Sequence, residues 1–65
     1  MATLHIVAKA GQINVIVNGF TEFSHPQDDH ETVLSFIDSL LEMGVITEDQ
    51  HATKCKRVNQ IAGIE

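Results

Sequence analysis

The spacing of apolar residues changes once along this chain, and that change limits the folds open to it. Between Thr3 and Phe20, apolar and polar residues largely alternate, which is typical of β-strands with one buried face. From Val33 to Leu41 the apolar residues follow at intervals of three, one, three and one, which is typical of an amphipathic helix. The pattern predicts an α+β fold in which an antiparallel β-hairpin precedes two α-helices (ββαα).

The alternating segment contains two turn signals. We predict a two-residue type II′ turn at Gly11-Gln12, because that turn requires glycine at its first central position. Asn18-Gly19 is a second turn dipeptide, and it would begin a third strand over residues 20–24. We favour a longer second strand, because the third strand's register would place Glu22 opposite the apolar Val15.

Capping residues mark the ends of both helices. Asp28 or Asp29 is expected to cap the first helix, loosely as a capping box with Glu31, and Gly44 to end it in the left-handed conformation. Thr47 and Gln50 predict a second capping box. The second helix should run to about Ala62, with Gly63 after it.

The predicted core joins the apolar faces of these elements. It contains Leu4, Ile6, Ile13, Val15 and Val17 from the hairpin, Val33, Phe36, Ile37, Leu40 and Leu41 from the first helix, and Ala52, Cys55, Val58 and Ala62 from the second.

The short chain makes a single domain, residues 1–65, with a small core. Cys55 is the one cysteine, so an internal disulfide is impossible, and a free thiol suits a reducing compartment. We therefore expect a cytoplasmic protein, because no apolar stretch approaches the roughly 20 residues that cross a bilayer. A homodimer, formed through the hairpin, is expected to supplement the core.

The leading functional hypothesis is a small non-catalytic protein-binding module that modulates or inhibits a larger protein, as an inhibitor or adaptor of the kind that phages and mobile elements use. No concave pocket of about 300 Å³ or more is expected at this size, so we predict no enzyme. Two surfaces are candidates for the partner. They are the outer hairpin face (His5, Val7, Ile16, Phe20) and an acidic linker (Asp28, Asp29, Glu31).

A small DNA-binding regulator is the alternative. Lys54, Arg57 and Gln60 of the second helix are residue types that contact phosphates or base edges. The chain has only four lysines and arginines and a net charge of −5, whereas a DNA surface normally carries a concentrated basic stripe. Binding to a protein is therefore favoured over binding to nucleic acid.

A metal site has weak support in the sequence. His51 and Cys55 are four residues apart on one helical face, a spacing that a metal can bridge, and His25 or His30 would have to complete the site. No second cysteine accompanies them, so we predict no metal and no cofactor. Cys55 falls on the stripe that faces the core, which disfavours it as a nucleophile.

Overall fold

The computed structural model describes residues 2–63 as a three-stranded antiparallel sheet, in the order β1-β2-β3, followed by two helices. This confirms the α+β class and the order of strands before helices, with three strands instead of two. The strands are β1 (Leu4–Lys9), β2 (Gln12–Val17) and β3 (Phe20–Pro26), and after a short 3₁₀ helix (Gln27–Asp29) come α1 (His30–Glu42) and α2 (Glu48–Ala62).

The third strand exists because the chain turns tightly at Asn18-Gly19. Both residues have positive φ, 53° and 85°, as a type I′ turn requires. The predicted clash of Glu22 with Val15 is avoided by a β-bulge, since Val15 pairs with Phe23 and the neighbouring residue of β2 pairs with Thr21. Glu22 is the extra residue of the bulge and is exposed.

The first turn also differs from the prediction. Ala10 and Gly11 have φ values of 54° and 77°, so the turn is type I′ at Ala10-Gly11 and not type II′ at Gly11-Gln12. Ala8 consequently pairs with Ile13, whereas the predicted Gly11-Gln12 turn would have paired it with Val15, two residues further along. A shift of two residues leaves the side chains of β1 and β2 on their predicted faces, because alternation has a period of two.

One face of the sheet is covered by the helices, with α2 against β1 and α1 against β2 and β3. Most of the predicted core is confirmed, but Val17, Phe36, Leu41, Cys55 and Ala62 are only partly buried, and Ala52 is exposed. The buried side chains are Leu4, Ile6, Ile13, Val15, Val33, Ile37, Leu40, Ile46 and Val58.

Ile46 is the core residue that the pattern did not predict. It lies in the connection between the helices and is 5% exposed. Gly44 has a φ of 77°, which confirms the left-handed end of α1 and turns the chain back so that the following apolar residues reach the core.

Side-chain hydrogen bonds connect both ends of α2 to the rest of the fold. The predicted Thr47–Gln50 capping box is present, and Gln50 Nε2 also donates to the carbonyl oxygen of Ala2 at 2.8 Å. At the other end Gln27 Nε2 donates to the carbonyl oxygen of Ile61 at 2.7 Å. At α1 the predicted capping box is wrong, because the N-cap Asp29 makes no side-chain capping bond.

Candidate binding groove

A groove of about 400 Å³ runs between β1 and α2. Thr53, Lys56, Arg57 and Gln60 share one stripe of α2, because their spacing is i, i+3, i+4 and i+7. Val58 anchors the helix beside this stripe and is fully buried. The residues that define the β1–α2 groove are His5 and Ile6 of β1 and Lys54, Lys56, Arg57 and Gln60 of α2, with Thr53 at one end.

The groove continues past Thr53 and Lys54 into a second hollow of about 280 Å³. There the lining includes Thr3 of the chain before β1 and Asp49 and Gln50 from the first turn of α2. A further hollow of about 470 Å³ lies elsewhere, beside Gly11 and Asp28. The expectation that no concavity reaches about 300 Å³ is therefore wrong.

Charge in the β1–α2 groove is of one sign. Lys54, Lys56 and Arg57 line it, and no carboxylate does so among residues 2–63. These are three of the four lysines and arginines in a chain whose net charge is −5. Lys54 is half-buried, while Lys56 and Arg57 are exposed. The groove is therefore a locally positive surface on an acidic protein, and it favours anionic ligands.

The groove follows the outer edge of the sheet, because β1 is an edge strand. In a hairpin with a two-residue turn, the amides of alternate residues bond across the pair, and Asn18 N donates to Thr3 O at 2.9 Å in that series. The amides of Leu4 and Ile6 therefore point to the edge. Leu4 and Ile6 are 3% and 7% exposed as whole residues, so little of either is open to solvent. We infer that side chains, not strand addition, would recognise a ligand.

The predicted outer hairpin face is only partly formed. His5 pairs with Ile16, and both lie with Val7 on the face away from the helices. Phe20 is the exception, because it pairs with Val17 in the third strand and so belongs to the other face. Val7 and Phe20 are 41% and 72% exposed. His5 belongs to both the outer face and the β1–α2 groove.

The predicted acidic linker lies apart from the groove, and one of its carboxylates is engaged locally. Asp29 Oδ2 is 2.7 Å from His25 Nε2 and accepts a hydrogen bond from Thr32 at 2.9 Å. These hydrogen bonds, first from His25 and then from Thr32, lower the pKa of Asp29. Asp28 and Glu31 are exposed, and neither lines the β1–α2 groove.

The predicted His51–Cys55 pair is close, with 3.6 Å between His51 Nε2 and Cys55 Sγ. Asp38 of α1 joins these two residues in a cluster of three, and the sequence did not indicate this contact. His25 pairs with Asp29 instead, and His30 does not join the cluster. Burial, and next the charge of Asp38, raise the pKa of the Cys55 thiol, so the thiol is protonated at neutral pH and a weak nucleophile.

Comparison with known proteins does not identify the chain. No protein-family model, curated protein or solved structure gave a significant match. Within residues 2–63, no helix combines the length and the apolar character needed to cross a membrane. The function has to be inferred from the residues of this chain and their arrangement.

Proposed function

We propose that this protein is a small non-catalytic binding module that modulates a larger protein by docking an acidic segment of it in the β1–α2 groove. The observation that carries the proposal is the concentration of Lys54, Lys56 and Arg57 along one groove of an acidic domain. Charge complementarity of this kind steers a partner into place and selects against partners of the wrong charge.

The groove offers an acidic segment more than charge. Arg57 presents a planar fork that can bind a carboxylate with two hydrogen bonds. Gln60 and Thr53 lie on the same helical stripe and supply neutral donors. Ile6 adds an apolar contact at the bottom of the groove. This mixture suits a peptide in which acidic and apolar side chains alternate.

A short acidic segment fits better than a long polyanion. Lys54, Arg57 and Gln60, which the sequence suggested for DNA contact, do lie together in this groove. A duplex would extend beyond it, however, and meet a domain with nine carboxylates against four lysines and arginines. Each additional phosphate would then encounter repulsion, whereas a peptide confined to the groove would not. DNA binding is the competing hypothesis in the experiment.

Fluorescence anisotropy can distinguish binding of an acidic peptide from binding of DNA. The probes are a fluorescein-labelled peptide of alternating glutamate and leucine and a labelled DNA duplex. We expect the wild-type protein to prefer the peptide, and Lys54→Glu with Arg57→Glu to weaken that binding about tenfold or more. Controls for the change in net charge are Lys9→Glu, Lys9→Ala and Lys54→Ala. Lys9 serves this purpose because it is the lysine outside the groove lining.

The outcomes distinguish specific binding in the groove from attraction to the overall charge of the protein. If Lys9→Ala weakened peptide binding as much as Lys54→Ala, general electrostatics would explain the affinity and the groove would not be the site. Tighter, salt-sensitive binding of the duplex, lost in the double variant, would replace the proposal with the DNA-binding hypothesis.

We also propose that the domain forms a homodimer. Among residues 2–63, both helices pack on the opposite face of the sheet from Val7 and Ile16, and a core of this size gains stability from a second copy. Light scattering should give a mass near twice 7.2 kDa, whereas a clean monomer at high micromolar concentration would refute the dimer.

A further inference from the structure

Three side chains with metal-binding atoms converge where α1 and α2 pack together. They are Asp38 of α1 and His51 and Cys55 of α2, and their ligand atoms all lie within 4.8 Å of one another. His51 Nε2 contacts both Asp38 Oδ1 and Cys55 Sγ. This Asp38–His51–Cys55 cluster lies on a different stripe of α2 from the β1–α2 groove.

In its neutral form, His51 Nε2 can hydrogen-bond to only one of its two neighbours, Asp38 or Cys55, at a time. A neutral imidazole carries a proton on only one ring nitrogen. If His51 Nε2 carries it, the nitrogen donates to Asp38 and cannot accept from the Cys55 thiol. If Nε2 has no proton, it accepts from the thiol but faces the Asp38 carboxylate as a second acceptor. One cation placed between the three atoms would bind all of them.

The separation of His51 and Cys55 suits a tetrahedral ion, whereas the Asp38 carboxylate contacts His51 directly and would have to move outward on binding. Zinc lies about 2.0–2.1 Å from a histidine nitrogen and about 2.3 Å from a thiolate sulfur, so tetrahedral angles place the two ligands about 3.6 Å apart. The observed distance from His51 Nε2 to Cys55 Sγ is 3.6 Å. The Asp38 side chain is 62% exposed, so its carboxylate has room to complete the geometry.

We propose that Asp38, His51 and Cys55 form a binding site for one divalent transition-metal ion of the zinc class, with a water or an external ligand in the fourth position. Sulfur, nitrogen and oxygen ligands together suit Zn²⁺ and do not suit Mg²⁺ or Ca²⁺, which prefer oxygen. On binding, the Cys55 thiol releases its proton to solvent and the metal takes its place on sulfur. This site departs from the sequence-based prediction of no metal because α1 supplies Asp38.

The metal would link two helices. Asp38 belongs to α1 and the other two ligands to α2, so binding would join the helices in a domain that has no disulfide. Without a metal, a carboxylate beside a half-buried sulfur disfavours the thiolate. A divalent cation reverses that effect, because its charge is the largest in the site.

Cobalt(II) provides a spectroscopic probe of the site in the reduced, full-length protein. We expect a single equivalent of Co²⁺ to give the visible absorption of a tetrahedral ion together with a sulfur-to-metal charge-transfer band, and Zn²⁺ to displace it. Cys55→Ser should remove the charge-transfer band. Asp38→Asn, at an exposed position, should weaken Co²⁺ binding about tenfold or more while the circular dichroism of the metal-free protein stays unchanged.

The chain contains a matched control in His25 and Asp29. Their ring nitrogen and carboxylate oxygen lie 2.7 Å apart, and no thiol joins them among residues 2–63. Asp29→Asn should therefore leave Co²⁺ affinity within about twofold of wild type. The proposal would be overturned by equal weakening in Asp29→Asn and Asp38→Asn, or by an octahedral spectrum without the charge-transfer band in the wild-type protein.

Discussion

Replacement of Val58 by alanine tests how α2 is held to the domain. Val58 is the one side chain of α2, among residues 48–62, that is buried in the core, and its exposure is 0%. The substitution removes two methyl groups, each worth about 0.8 kcal/mol when buried. A residual cavity of about 40 Å³ would add about 1 kcal/mol. The expected loss is therefore about 2–3 kcal/mol in the free energy of unfolding.

A loss of this size is large for the domain. Stabilities of about 0.05–0.15 kcal/mol per residue imply a total of about 3–10 kcal/mol for a chain of this length. A domain of this size loses about 4–8 °C in Tm per kcal/mol, so Val58→Ala should melt about 10–20 °C lower. Urea denaturation, monitored by the helical circular dichroism signal, gives the free energy of unfolding directly.

Val7→Ala, measured at a protein concentration too low for the proposed dimer, is the matched control, because Val7 is 41% exposed on the outer sheet face of a single copy. Its loss should stay below about 1 kcal/mol, the span of strand propensities. Equal losses for the two variants would show that Val58 does not anchor α2 and would refute the packing described for that helix.

Three further predictions concern the turns, the caps and pH. Thr47→Ala removes the cap of α2 and should destabilise the domain by about 1 kcal/mol in urea denaturation, whereas the mid-helix Thr53→Ala should not. Gly19→Ala places a side chain at a φ of 85° and should lower stability by about 1–2 kcal/mol in the same assay. Because the pKa of Asp29 is lowered in the folded state, its stabilising effect is complete above the ordinary carboxyl pKa and disappears as pH falls through the lowered one. The stability difference between wild type and Asp29→Asn should therefore shrink as pH falls through the lowered pKa of Asp29, and a constant difference would contradict the hydrogen bonding described for Asp29.

Local signals in the sequence predicted most of the fold. The helical spacing of Val33 to Leu41 gave α1, and the Thr47–Gln50 capping box gave the start of α2. These signals are predictive because each depends on residues that lie within one or two helical turns of each other. Ile46 was missed because its burial depends on where the left-handed Gly44 directs the chain.

The third strand could not be predicted by alternation alone. A β-bulge inserts one residue and so changes the face on which each later side chain lies. Glu22 then appeared to be a polar mismatch with Val15, although it is the inserted residue. Phe20 was assigned to the wrong face for a different reason, because the chain turns at Asn18-Gly19 and Phe20 therefore pairs with Val17 instead of continuing β2.

The candidate sites likewise contain groupings that local sequence spacing could predict and groupings that only the tertiary fold creates. Lys54, Arg57 and Gln60 are neighbours on one helix, so their grouping was predictable from the helical period. Asp38 reaches His51 only because α1 and α2 pack side by side, and no sequence spacing encodes that contact. His5 joins the groove only because α2 returns to β1.

That return of the last helix to the first strand also has a kinetic consequence. The other large contacts join elements that are close along the chain, namely the two hairpins and the helix pair. Short loops close quickly, so these units can form before the ends of the polypeptide meet. Substitutions between α2 and β1 should then accelerate unfolding and hardly change the rate of folding. The surface proposed for recognition would thus assemble last, and local opening there would release it first.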